Sequence, residues 1–158
     1  MSTRSRKTFH KPADLFPLGG ALPMLRLEHA LYTRWSEDAT LVGLIPPQNV
    51  WTGCQTPPRL PGACLRCLAE ERAWLTAKPE WADRVHIQVT LWSESFDHLR
   101  KSLDAVRRVY HGASLDLGDG GRVVRVTYRR MRIEDQEHNV WWGTVEFDAL
   151  ALRPVVTT

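Results

Sequence analysis

The sequence predicts an α+β fold: a mainly antiparallel β-sheet with two amphipathic helices packed on one face. Three observations predict it. Two stretches repeat apolar residues at spacings of three and four, several others alternate apolar with polar residues, and the alternating stretches come in consecutive runs. Strands that follow one another without an intervening helix pair antiparallel more readily than strands in βαβ units. The 158 residues fit one domain. With 43% hydrophobic and 25% charged residues, the composition is that of a folded chain and excludes bulk disorder.

The first helix is read from Met24, Leu27, Leu31 and Trp35, with Ala30 beside them and Glu28, His29 and Arg34 elsewhere on the wheel. Leu41, Val42, Leu44 and Ile45 form a short apolar cluster that Pro46 and Pro47 end. Val50-Trp51 is a brief strand, and residues 52–62, with two glycines and three prolines, are an ordered loop. Ala63 to Leu68 is a strand with Cys64 and Cys67 on opposite faces. The charged residues 69–82, with Trp74 and Trp81, read as a connector.

Arg84 to Trp92 is the clearest strand: Val85, Ile87, Val89 and Leu91 alternate with His86, Gln88, Thr90 and Trp92. Ser93 or Ser95 caps the next helix, whose stripe is Phe96, Leu99, Leu103, Val106 and Tyr110, with Gly112 at its stop. Residues 115–121 read as a Gly/Asp-rich turn. Val123 to Ile133 is a strand with Val124, Val126 and Tyr128 opposite Arg125, Thr127 and Arg129. A polar turn, 134–139, reads as too long for a two-residue hairpin loop. In the last strand, Val140 to Leu150, Trp141, Gly143, Val145, Phe147 and Ala149 face one way and Trp142, Thr144, Glu146 and Asp148 the other.

The net charge of +3 has a location. Residues 1–23 carry Arg4, Arg6, Lys7 and Lys11 against Asp14, so residues 24–158 balance at seventeen of each sign. The basic excess belongs to an N-terminal arm, flexible or ordered by a partner, with Phe9 as an apolar anchor; residues 24–152 form the domain and 153–158 a short tail. A nucleic-acid-binding fold carries its excess on the fold itself, which argues against that reading here. No run of about eighteen apolar residues predicts a membrane span, and the basic N-terminus lacks the apolar stretch of a secretory signal. Three cysteines, an odd count, then read as reduced thiols.

The search for reaction chemistry returns nothing above background. Cys64-Leu-Arg-Cys67 has metal-ligand spacing, but a strand sends its two thiols apart and no second pair exists. The six histidines form no zinc-binding pattern. The glycines of Leu117-Gly-Asp-Gly-Gly-Arg122 lead into a strand, without the Lys-Ser/Thr that grips phosphate and magnesium. The expectation is no enzyme, no cofactor and no metal.

The remaining signals point to surfaces. Strict alternation puts Arg125 and Arg129 on one face and Arg130 and Arg132 on the other. Cross-strand pairing of this arginine cluster with Glu146 and Asp148 is the plain reading; a charged interface is the functional one. Seven tryptophans are many for this length, and Trp141 and Trp142 must point to opposite faces. An outward Trp is an interface anchor. The candidate interface residues are therefore Trp92, Arg125, Arg129, Trp142 and Glu146, with Arg4, Arg6, Lys7 and Phe9 of the arm.

Over residues 24–150 a set of stretches comes in a telling order: Leu25-Arg-Leu-Glu-His-Ala-Leu-Tyr32, Glu37-Asp-Ala-Thr-Leu-Val-Gly43 and Thr56-Pro-Pro-Arg-Leu-Pro61. Stronger are Val85-His-Ile-Gln-Val-Thr-Leu-Trp-Ser93 and Ala105-Val-Arg-Arg-Val-Tyr-His-Gly112, followed by Leu115-Asp-Leu117, Gly121-Arg-Val-Val124 and Val145-Glu-Phe147. In these stretches and their order the chain resembles the tail-terminator, or tail completion, family of long-tailed phages and gene transfer agents. Residues 1–23 and the Trp-bearing 69–82 depart from the family pattern. The resemblance implies a structural virion protein, assembled in the host cytoplasm and placed at the neck. It implies a homo-oligomeric ring, usually of six copies, with the tail tube protein and the head–tail connector or stopper as partners and DNA passing through without specific binding. A head-closure or stopper protein is the neighbouring alternative, and a small nucleic-acid-binding module a more distant one.

Overall fold

A computed structural model describes residues 23–53, 59–75, 80–118 and 120–154. The N-terminal arm, with Arg4, Arg6, Lys7 and Phe9, lies outside the described residues.

Helix α1 (Pro23–Glu37) opens on a proline, whose missing N–H is no loss in a first turn, and buries Leu27, Ala30, Leu31 and Trp35. The Trp35 indole donates to the Ile45 carbonyl at 3.0 Å, which pins the following segment to the helix end. That segment is itself helical: α2 (Ala39–Leu44) is capped by Asp38, whose side chain accepts the Leu41 N–H at 3.0 Å. A 3-10 turn, Pro47–Asn49, leads into β1 (Val50–Thr52).

Strands β2 (Gly62–Leu75) and β3 (Glu80–Ser93) form a long antiparallel pair, so the charged stretch 69–82 expected as a connector is sheet at 69–75 and 80–82. Two of its charges, Glu70 and Arg72, are paired across the sheet. Asp83, only 2% exposed, accepts from Arg72 at 3.1 Å and from Arg153 at 3.2 Å, and Arg153 also reaches Glu70. An ion network takes over where the apolar core ends, and polarity therefore hid the strands. Ser95 caps α3 (Phe96–Tyr110) by accepting the His98 N–H at 3.2 Å. Gly112 sits at φ +78°, the left-handed conformation that ends a helix at little cost in glycine.

The expected turn at 115–121 contains a further strand, β4 (Leu115–Gly118), paired with β5 (Gly121–Glu137). The final hairpin to β6 (Val140–Pro154) closes through two residues, His138 and Asn139, both at positive φ. The two-residue loop expected to be ruled out is therefore present: the polar residues before it continue β5 as strand, and the left-handed pair makes the tight turn. Strand β6 also runs four residues past Leu150.

The six strands lie in the order β1-β2-β3-β6-β5-β4, all neighbours antiparallel except β1 with β2. One face, here the inner face, carries Leu65, Val85, Ile87, Val89, Val126, Val145 and Phe147 into a single core with the buried stripes of α1 and α3. This is the architecture the periodicities predict.

Candidate assembly interface

The outer face of the sheet is where the sequence places its candidate residues, and β-bulges decide how they are arranged. In β5 the register against β6 shifts between Val123 and Arg125 and again between Tyr128 and Arg130. Each bulge adds one residue without a partner and reverses the alternation that follows. Val124, expected on the core side with Val126, is 42% exposed. Arg125, Arg130 and Arg132 pair with Leu150, Glu146 and Thr144, so all three share the outer face, and Arg129 at the second bulge reaches Asp148 there. The predicted split of the cluster between faces is thus corrected: the two bulges gather it on one side.

Most of that charge is internally neutralised. Glu146 is only 3% exposed, yet it lies on the outer face under two donors. Arg130 makes an ion pair with one carboxylate oxygen, and His86 Nε2 lies 3.2 Å from the other. His86 Nδ1 lies 3.0 Å from Asp148, which also pairs with Arg129. The result is a chain of groups, Arg130–Glu146–His86–Asp148–Arg129, across three strands. A neutral imidazole donates through one nitrogen only, so both contacts are filled by hydrogen bonds only when the ring carries two protons. The hydrogen bond from Arg130, with that from His86, holds the Glu146 carboxyl below its ordinary range despite burial. Burial acts to raise Asp148, but the bonds from His86 and Arg129 outweigh it and leave that carboxyl lowered too.

Beside this chain runs a groove of about 650 Å³, lined among others by Arg84, His86, Val124, Arg125, Asp148 and Leu150. Arg84 and Arg125 stand on β3 and β5 on either side of Leu150, and Arg125 has no ion-pair partner among the described residues. Of the two predicted interface arginines among the described residues, Arg125 and Arg129, Arg125 is therefore the one whose charge is left for a partner.

The outward tryptophans do not stand alone. Trp92 and Trp142 are cross-strand neighbours and pack with Cys64, Trp51, Leu60 and Val140 into a second, smaller apolar cluster on the outer face. Trp92 is only 9% exposed, so it serves this cluster and is not a free anchor; Trp142 is half-buried. Both sheet faces are covered at this end, which resolves the opposed directions of Trp141 and Trp142. On the inner face Trp141 meets Phe96 edge-on at 4.9 Å.

The cysteines separate as alternation requires: Cys64 belongs to the outer cluster and Cys67 to the main core. Cys67 is a free thiol, pushed up to about 12 by burial first and then by Glu70 and Glu28. Cys64, by contrast, is disulfide-bonded, with its partner outside the described residues, which corrects the expectation of three reduced thiols. Among the described residues no group of three or more His, Cys, Asp or Glu side chains is placed to hold a metal ion, and no helix is long and apolar enough to cross a membrane.

Two features carry no mark in the sequence. His86 reads only as an outward residue of a strand; its position opposite Asp148 follows from the β3–β6 register, which pairs residues 62 apart. Glu28, expected away from the core, is 8% exposed and accepts the Cys67 N–H at 3.0 Å. It does so just beyond the end of β1, where β2 loses its neighbour.

Comparison with known proteins gives this geometry a context. Residues 29–151 match the family described as tail completion protein gp17. Chains of solved structures match as well. One belongs to the virion of a native gene transfer agent particle: it is 22% identical, covers 80% of this chain and 95% of its own length, and superposes with a TM-score of 0.62. At that identity the likeness is one of fold. No curated protein matches.

Proposed function

The chain belongs to the tail completion protein gp17 family, a family of structural, non-enzymatic proteins, and from that premise we propose that it caps the phage tail tube as a ring of six copies and joins it to the head–tail connector. The observation that carries the reading is the family match across 123 residues, 29 to 151, which takes in most of α1, all of α3 and nearly the whole sheet. A ring needs two different surfaces on each copy, meeting head to tail and closing. The outer face supports this: it is rich in charge, internally cross-braced, and leaves Arg125 beside an open groove.

In this reading DNA passes through the ring without specific binding. Salt-sensitive DNA affinity comes from cations that replace counterions on phosphates. Here Arg122, Arg129 and Arg130 are already paired with Glu80, Asp148 and Glu146. The protein then sits at the neck of the virion after assembly in the host cytoplasm, with the tail tube protein and the connector or stopper as its neighbours. The basic arm, with Arg4, Arg6, Lys7 and Phe9, supplies a further contact to an adjacent subunit.

Electron microscopy of the particle tests this. Density for the chain as a ring between tube and connector is the expected result. A position directly under the portal adaptor would make it a stopper. DNA binding at physiological salt that disappears on deleting residues 1–22 would move the function to nucleic-acid binding.

A further inference from the structure

The sheet leaves two edges partly open. Strand β1 pairs with β2 only through residues 63–65, so among the described residues β2 has no strand neighbour on that side from Arg66 to Leu75. At the other edge β4 pairs with β5 only as far as Val123. The segment after α3 covers a little more: Val126 exchanges hydrogen bonds with Gly112 and Ala113, and the Tyr128 N–H donates to His111 Nδ1 at 3.0 Å. From Arg129 to Glu137 the edge of β5 has no further strand beside it among the described residues. Open edges are templates for another strand, and natural proteins protect those they do not use.

We propose that neighbouring copies of this chain join edge to edge, the open stretch of β2 in one copy pairing antiparallel with the open stretch of β5 in the next, with Glu71 opposite Arg132. This rests on the ring reading above and names the surfaces that would make the ring. Three observations carry it.

The first is direction. From β2 through β3 and β6 to β5 every neighbour is antiparallel, so β2 and β5 run in opposite directions. Rotation about a ring axis leaves each strand's component along that axis unchanged, so corresponding strands of neighbouring copies keep the same sense. The β5 edge of one copy therefore meets the β2 edge of the next as an antiparallel pair.

The second is charge and face. Glu71 lies opposite Arg84 and Arg132 opposite Thr144, and both point to the outer face. Glu71 has no ion-pair partner among the described residues. Among the described residues Arg132 has only the loose contact to Glu134 at 3.6 Å, with its side chain 53% exposed. Opposite charges directly across a strand pair stabilise it.

The third is inclination. Glu71 is level with Arg84 of β3; Arg132, through Thr144, is level with Thr90. The two partners are thus displaced by six residues along the strands, about 20 Å at the rise of a β-strand. Four inter-strand steps separate one β2 from the next, about 19 Å. Pairing them tilts the strands by about 45°, the upper end of the range that closed barrels use.

The test uses the full chain in two mixtures. Glu71→Cys copies mixed with Arg132→Cys copies are oxidised and resolved without reductant, both in the self-associated protein and in assembled tails. The expected result is a cross-linked heterodimer several-fold more abundant than in either variant alone or in a control mixture of Glu71→Cys with Arg108→Cys. Charge exchange gives a second readout. Glu71→Arg is expected to weaken self-association about fivefold, and Glu71→Arg with Arg132→Glu in the same copy to restore it. Rings without the cross-link and without the rescue would overturn edge pairing and leave the ring reading standing. Absence of rings in tails as well as of the cross-link would overturn both.

Discussion

Gly143 of β6 and Leu103 of α3 approach so closely that no side chain fits between them. A Cβ at residue 143 would lie 2.9 Å from Leu103 Cδ1 and 2.8 Å from the Arg132 carbonyl oxygen on the neighbouring strand. Relieving the first contact by a rotamer change disturbs a fully buried leucine, and the second involves backbone that the β5–β6 ladder holds. Gly143→Ala is therefore expected to destabilise the fold by about 1–3 kcal/mol, the usual range for overpacking. Denaturant unfolding measures it; a midpoint equal to that of the unsubstituted protein would mean that α3 is free to lift from the sheet.

Glu28 gives a prediction with two signs. Burial raises its carboxyl pKa, opposed by the Cys67 N–H bond and by Arg66. Glu28→Gln keeps an oxygen for the Cys67 N–H and removes a desolvated charge, so at neutral pH its stability is expected within about 1 kcal/mol of the original or above it. Glu28→Ala leaves that N–H without its acceptor and is expected to lower stability by about 1–3 kcal/mol. Equal loss in both variants, read from unfolding at pH 7, would show that the charge itself matters.

What the sequence makes legible here follows from period, and what it hides follows from register. Val85, Ile87, Val89 and Leu91 alternate without interruption, and they are the centre of the core. The stripe of α3 is equally clear, because every fourth or third residue from Leu99 to Tyr110 is buried. Bulges carry no such mark. Nothing in Val123-Val124 or Arg129-Arg130 says that a residue is inserted, yet each insertion turns the following side chains over. Long-range ion pairs are hidden for the same reason: Glu70 and Arg153 read as solvated charges until the sheet places them together 83 positions apart. The outer-face partners Glu146 and Asp148 were accessible because both the strand and its alternation are regular.

The acid limb of stability is expected to depend on Glu146 and Asp148. Both carboxyls are lowered in the folded state. The folded protein therefore binds their protons less tightly than the unfolded chain. Their contribution is complete above the unfolded carboxylate values, about 4, and is lost as pH falls through the lower folded values. Glu28 acts in the opposite sense, because its raised value favours the folded state as it protonates. Glu146→Gln is expected to flatten the decline below about pH 4.5, measured as unfolding free energy between pH 7 and pH 3. An unchanged slope would remove Glu146 from the acid response.

Arg125 and Arg129 separate folding from assembly. Both side chains are exposed; Arg125 has no ion-pair partner among the described residues, and Arg129 pairs with a half-exposed Asp148. Exposed pairs contribute about 0–1 kcal/mol, so replacing both residues by Glu is expected to leave the fold intact and to shift the thermal midpoint by only a few degrees. The reversal nevertheless turns the groove beside Asp148 from a mixed surface into an acidic one, and a partner that meets Arg125 there is repelled. Ring formation or docking on tail tubes, counted by electron microscopy, is expected to fall while the far-UV spectrum stays native. Normal rings and normal docking would take the outer face out of the interface and leave the sheet edges and the arm to carry it.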